Sequence, residues 1–179
     1  MAMVKEMPYS EKYTIVQDHN RQNYIEHEAL VPAFIEKHLG KPAVADFQKV
    51  CQEGVKPIPE EASPQEKYEI AYSNWIWMGR CAFGFIRERM GEEGIKQFVR
   101  AEVDALKHEN ASPALLMLKL VRAISPGLAF TMVAKQTTYK LQWLSPYSVP
   151  ELTRHRTVFD IPRCKILDFS DSDDLCLIG

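Results

Sequence analysis

Ser63-Pro64-Gln65-Glu66 constrains this chain more than any other stretch. Serine is a good N-cap, proline suits the first helical position, and a glutamate three residues past the cap completes a capping box. From there to about Met90 the apolar set includes Tyr68, Ile70, Ala71, Trp75, Ile76, Met78, Cys81, Ala82, Phe85 and Ile86. These positions cover more than one face of a helix. A helix apolar on several sides needs neighbours on several sides, so this one is expected to be central. Gly79 and Gly84 weaken it locally and are places where another backbone or a ligand can come close. Gly91 is its expected stop.

Other helices follow from the same grammar. Tyr24, Ile25, Leu30, Val31, Phe34, Ile35 and Leu39 are spaced helically between Arg21 and Leu39. Pro32 inside that run implies a kink or two shorter helices, and Gly40 is a natural end. Val44, Phe47, Val50 and Cys51 suggest a short second helix, and Gly54 to Pro59 a loop. Glu92 or Glu93 opens another helix, whose period is kept by Ile95, Phe98, Val99, Val103 and Leu106. Ser112-Pro113 repeats the cap-and-proline signal ahead of an apolar helix halted by Ser125-Pro126-Gly127. Residues 1–20 are polar and read as loosely ordered.

The pattern changes after that point. Tyr139, Leu141 and Trp143 alternate with Lys140 and Gln142, which is strand period. Pro146 to Pro150 reads as a turn. Thr153, His155, Thr157, Phe159 and Ile161 share one side of a second strand, opposite Arg154, Arg156 and Asp160. Phe130 to Ala134 fits a further strand or a helix end. The expected fold is α+β, with a helical N-terminal two-thirds packed on a small antiparallel β-sheet. Residues 1–179 are read as one domain: a loose segment 1–20, a helical part 21–127 and a strand-rich part 128–179. The end, Leu175-Cys176-Leu177-Ile178, is apolar. It docks on the core, docks across a homodimer, or marks a chain that stops short of its natural end.

Composition narrows the function classes. The chain has 179 residues, 46% of them hydrophobic and 26% charged, ordinary globular values. Its 22 Lys+Arg stand against 24 Asp+Glu, so no basic excess exists to drive nucleic-acid binding. No apolar run is long enough for a transmembrane helix, so no membrane partner is expected. The start, interrupted by Pro8, does not read as a signal peptide. The four cysteines (Cys51, Cys81, Cys164, Cys176) form no C-x-x-C pair, and without a secretory signal reduced thiols are the default. A cytoplasmic location follows as the expectation. P-loop, dinucleotide-binding, zincin and α/β-hydrolase strings are missing, and no metal or organic cofactor has motif-level support.

Several residues are candidates for chemistry, each with a plainer reading beside it. Cys164 lies just past a predicted strand, with Arg163 adjacent and Arg154 and Arg156 upstream. Such guanidinium groups lower a thiol's pKa and hold an anionic substrate, which would suit a nucleophile. The plainer reading is a buried small hydrophobe. Asp104 and His108, spaced i,i+4, fit a metal pair or an acid–base couple, and His27 with Glu28 would extend it. The alternative is a solvated helix end. His155 is either a proton carrier beside Cys164 or a satisfied core histidine. Trp75, Trp77 and Trp143, with Tyr72 and Phe83, either line an apolar pocket or are simply core. Arg80 is notable because it sits beside Cys81 within an apolar stretch.

Thr157-Val158-Phe159-Asp160-Ile161-Pro162-Arg163-Cys164, followed by Asp174-Leu175-Cys176, resembles a pattern of the L-2-amino-thiazoline-4-carboxylate hydrolase family. That pattern is a strand ending in Arg/Glu-Cys, then a linker, then Leu-Cys. The family's members are bacterial cytoplasmic proteins, and its named activity opens a cyclic amidine ring with water. The resemblance covers about twenty residues. It implies a hydrolase acting on a C–N bond of a small carboxylate-bearing substrate. Cys164 would be the nucleophile or a substrate contact, and His155 would move protons. Arg163 or Arg156 would hold the carboxylate, Cys176 would close the pocket, and Trp143 and Trp77 would line it. The chain departs from the family after Cys176, where an acidic residue and further strand sequence are expected, and its spacer between the two cysteines is short. The other readings are a non-enzymatic small-molecule-binding or sensory module, as a homodimer, and a carboxylate–histidine metal protein using Asp104 and His108.

Overall fold

The computed structural model of the chain describes residues 6–26, 28–109, 121–144, 148–153 and 156–160. Two compact units divide it. Among the described residues, the first unit runs from Tyr9 to Asp104 and the second draws on 6–8 and 105–160.

The first unit is built around a helix that begins where the capping box stands. In α4 (Pro64–Glu109), Glu66 N–H donates to Ser63 Oγ at 3.3 Å and Ser63 N–H donates to Glu66 Oε2 at 2.8 Å. The Ser63 hydroxyl and, next, its backbone N–H hold the exposed Glu66 carboxyl below the usual carboxylate range. Tyr68, Ala71, Tyr72, Trp75, Ile76, Met78, Ala82, Phe83 and Ile86 are buried along it, so the expected central helix is realised. Gly91 breaks it with φ 67° and ψ −167°, a conformation for which only glycine is suited. The second arm then carries Ile95 and Phe98 into the core.

Three shorter helices cover the first arm. α1 (Tyr9–Asn20) continues into a π-turn, Arg21–Ile25, closed by Glu26 N–H donating to Arg21 C=O at 3.1 Å. α2 spans Leu30–Leu39, and Pro32 sits in its first turn, where a missing N–H costs nothing. The expected break therefore lies ahead of Pro32. Gly40, at φ 85°, turns the chain into α3 (Lys41–Gln52).

α3 runs antiparallel to the first arm of α4, and the contacts form successive rungs. Phe47 meets Phe85 edge to face at 5.7 Å. Cys51, one turn after Phe47, and Cys81, one turn before Phe85, occupy the next rung. Trp77 Nε1–H donates to Cys51 C=O at 2.9 Å. On the other side Phe98 packs against both Phe34 (5.2 Å) and Phe83 (5.7 Å), closing α2 and the second arm of α4 over the core. Each fully buried large side chain here contributes roughly 1.5–3 kcal/mol.

The second unit corrects the fold class. The expectation was α+β, a helical body packed on a small antiparallel sheet. The described chain is instead a helical fold. Phe130 to Ala134 and the first half of the predicted strand at 137–144 belong to α5 (Pro126–Lys140), which is followed by a 3-10 turn, Leu141–Trp143. Tyr139 and Trp143 are as compatible with i,i+4 helical spacing as with strand alternation, and the helix started at Pro126 simply runs on. Ser125-Pro126, read as a stop, is also a start: Ser125 C=O accepts from Leu128 and Ala129 N–H, both at 3.1 Å. Among the described residues, extended structure is a two-stranded ribbon, β1 (Ser148–Leu152) with β2 (Thr157–Asp160). Its register pairs Leu152 with Thr157 and is irregular between Ser148 and Glu151, beside Pro150. The partner strand differs from the one expected.

Candidate functional site

A cavity of about 700 Å³ lies wholly within the first unit. Tyr13, Gln17, Asn20 and Tyr24 recur every third or fourth residue along α1 and the π-turn, so they form one stripe. Phe47, Gln48, Cys51 and Gln52 face the cavity from α3, and Asn74 and Met78 from α4. Val55, Lys56, Pro57 and Ile58 bound it from the loop after α3. The floor is buried: Asn20, Tyr24, Phe47, Cys51, Asn74 and Met78 are each at most 7% exposed. Ile25, Gln52, Val55, Lys56 and Pro57 are exposed and form the mouth.

The loop is held by two side chains of α4. Asn74 Oδ1 accepts from Lys56 N–H, and Asn74 Nδ2–H donates to Lys56 C=O, each at 2.9 Å. Lys56 is thus paired as a residue in a strand would be. One turn on, the Trp77 indole lies where a Cβ on Gly54 would have to sit, so no larger residue fits there.

The site's polar groups are mostly neutral. Gln17 Nε2–H donates to Tyr13 Oη at 3.1 Å. Asn20 Nδ2–H donates to Ala71 C=O at 3.2 Å, while its buried Oδ1 accepts nothing from the described residues. Burial first, and then the neighbouring Glu102 and Cys51, push the Tyr24 phenol far above its ordinary range, so it stays a neutral donor. Glu102, behind Tyr24, is 8% exposed, and its Oε2 has no hydrogen-bond partner among the described residues. Burial raises its carboxyl to about 7. Hydrogen bonding with Cys81 and then burial push the Cys51 thiol up. That same bond, helped by Arg80 and opposed by burial and Glu53, lowers Cys81.

Most of the residues chosen from the sequence lie elsewhere. Cys164, Arg163, Cys176 and His155 fall outside the described residues. Arg156 stands exposed at the turn of the ribbon, where its N–H donates to Thr153 Oγ1 at 2.9 Å. Trp143 is buried in the second unit. Trp77 belongs to the first unit, but behind the cavity wall as the clamp on Cys51 and Gly54. Trp75, Tyr72 and Phe83 are core. Asp104 is exposed on α4, and the His108 side chain and His27 fall outside the described residues. No cluster of three His, Cys, Asp or Glu suited to a metal occurs among the described residues. No described helix is long and apolar enough to cross a membrane.

The cavity's own residues escaped sequence reading because its α1 wall is polar. An apolar-period search passes over a stripe of Tyr, Gln and Asn. The signal available was spacing: four hydrogen-bonding side chains on one helical face. Comparison with known protein families, curated proteins and solved structures finds no match.

Proposed function

We propose that the chain is a small-molecule-binding helical domain whose ligand enters the cavity between α1, α3, α4 and the 53–59 loop. The carrying observation is the cavity itself: about 700 Å³, with a buried floor and a clamped loop at its rim. Cavities of roughly 300–1,000 Å³ with a few convergent polar groups on an apolar base suit small organic ligands. Phe47, Met78 and Ile58 supply apolar wall. Gln17, Gln48, Gln52 and the Tyr24 phenol supply neutral hydrogen-bonding groups, and Lys56 offers a cation at the mouth. The matching ligand is a largely apolar small molecule with a few hydrogen-bonding groups and at most one negative charge. The hydrolase reading rests on the family resemblance, and its nucleophile would be Cys164.

Anilinonaphthalene sulfonate, with apolar rings and one anionic group, is a suitable probe. Its fluorescence should rise on mixing with the folded protein, and the thermal midpoint should rise with it. At a hundredfold excess over Kd the stabilisation is about 2.7 kcal/mol. Gln48→Trp, on the half-buried side of α3, places an indole in the cavity and should abolish both effects while helical circular dichroism is kept. Equal binding by the Gln48→Trp variant, or none by the parent, overturns the reading.

A further inference from the structure

The rung between Phe47–Phe85 and Trp77–Gly54 is a pair of thiols on different helices. We infer that Cys51 and Cys81 form a reversible dithiol–disulfide couple, a modification site for hydroperoxides built into the α3–α4 seam. Cys51 stands one turn after Phe47 and Cys81 one turn before Phe85, so on antiparallel helices the two side chains fall on the same rung. The rungs on either side hold that register: the Phe47 and Phe85 rings at 5.7 Å, and Trp77 Nε1–H on Cys51 C=O at 2.9 Å. Cys51 also forms part of the cavity wall, so one thiol of the pair borders the cavity. The couple does not depend on the cavity taking a ligand.

The two thiols have different roles. The neighbouring Cys51 thiol and the charge of Arg80 favour the thiolate at Cys81, against burial and the charge of Glu53, while the Cys81 neighbour and burial hold the proton on Cys51. The Cys81 thiolate attacks one oxygen of the hydroperoxide, and the O–O bond breaks. The departing alkoxide takes up a proton and leaves as an alcohol, or as water from hydrogen peroxide. Cys81 is then a sulfenic acid. Cys51 Sγ attacks Cys81 Sγ, and the sulfenic hydroxyl leaves with the thiol proton as water. Two electrons pass from the pair to the oxidant, and a dithiol reductant returns them by exchange.

The test uses the full chain, hydrogen peroxide, alkylation of remaining thiols and peptide mapping. A Cys51–Cys81 linked peptide, two hydrogens lighter than the reduced pair and reopened by dithiothreitol, is the expected product. In Cys51→Ala, dimedone should capture a sulfenic acid at Cys81. In Cys81→Ala, Cys51 should remain largely alkylatable at the same peroxide dose. Links that instead join Cys164 or Cys176, or full alkylation of Cys51 and Cys81 after peroxide, overturn the proposal. The mapping is made on the parent chain, so it decides the matter even where a variant fails to fold.

Discussion

Asn74 holds the rim of the cavity with a single carboxamide. Both of its bonds go to the backbone of Lys56, a donor and an acceptor that loop structure would otherwise leave for water. Asn74→Ala should lower stability by about 1–3 kcal/mol, since two part-buried hydrogen bonds are lost together. Denaturant unfolding measures the loss, and faster hydrogen exchange at the Lys56 amide locates it. Trp77 shows how far a single residue can be read from sequence. Its place on a multi-faced apolar helix marked it as buried or pocket-lining. That its N–H would find Cys51 C=O, and its ring Gly54, depends on a helix and a loop more than twenty residues away in the chain.

At the scale of elements, α4 and α1 lie at opposite ends of legibility. The start of α4 is written locally, as a cap, a proline and a glutamate within four residues, and the structure forms those bonds. Gly91 is equally local: it alone sits at positive φ in a run that is otherwise helical, and nothing lies within 4 Å of where its Cβ would be. Gly91→Ala should therefore cost about 1–3 kcal/mol through backbone strain alone. Gly84 sits in the regular helix with equal space around it, so Gly84→Ala should stabilise by roughly 0.5–1 kcal/mol. Thermal unfolding of the two variants should move in opposite directions, and a shared direction would contradict this account of the break. α1 escaped notice because its buried positions include Asn20 as well as Val16, and its inward stripe is amide and phenol. The segment at 137–144 misled for the opposite reason. Five residues of alternation are too few to separate a strand from the end of a helix already under way.

For the molecule as a whole, the buried carboxyl of Glu102 links folding to pH. Its value rises from an ordinary 4.5 to about 7 in the folded chain, because burial disfavours the charge. Between those values the folded state holds a proton that the unfolded state has released. Stability from this group is therefore greatest in acid and falls as pH rises toward 7, levelling above it. Comparing about pH 5 with about pH 8, the parent should lose up to about 3 kcal/mol more than Glu102→Gln, which has no proton to release. Chemical denaturation of both proteins at the two pH values checks this, and equal losses would remove Glu102 as the linked group. The Tyr24 phenol in front of it stays protonated across this range.

By itself the sequence determined the central helix, its start and its break, and the burial of its apolar faces. Capping, proline and glycine preferences and apolar periodicity act over a few residues, so a local reading captures them. Tertiary structure alone decided that α3 lies antiparallel to α4, that Cys51 meets Cys81, and that a polar stripe of α1 turns inward to wall a cavity. It also decided that the predicted strand at 137–144 would be helical, because a helix once begun continues wherever packing and backbone hydrogen bonding favour it over a short alternating pattern. Those outcomes depend on which surfaces meet, and the partner surfaces stand far apart along the chain.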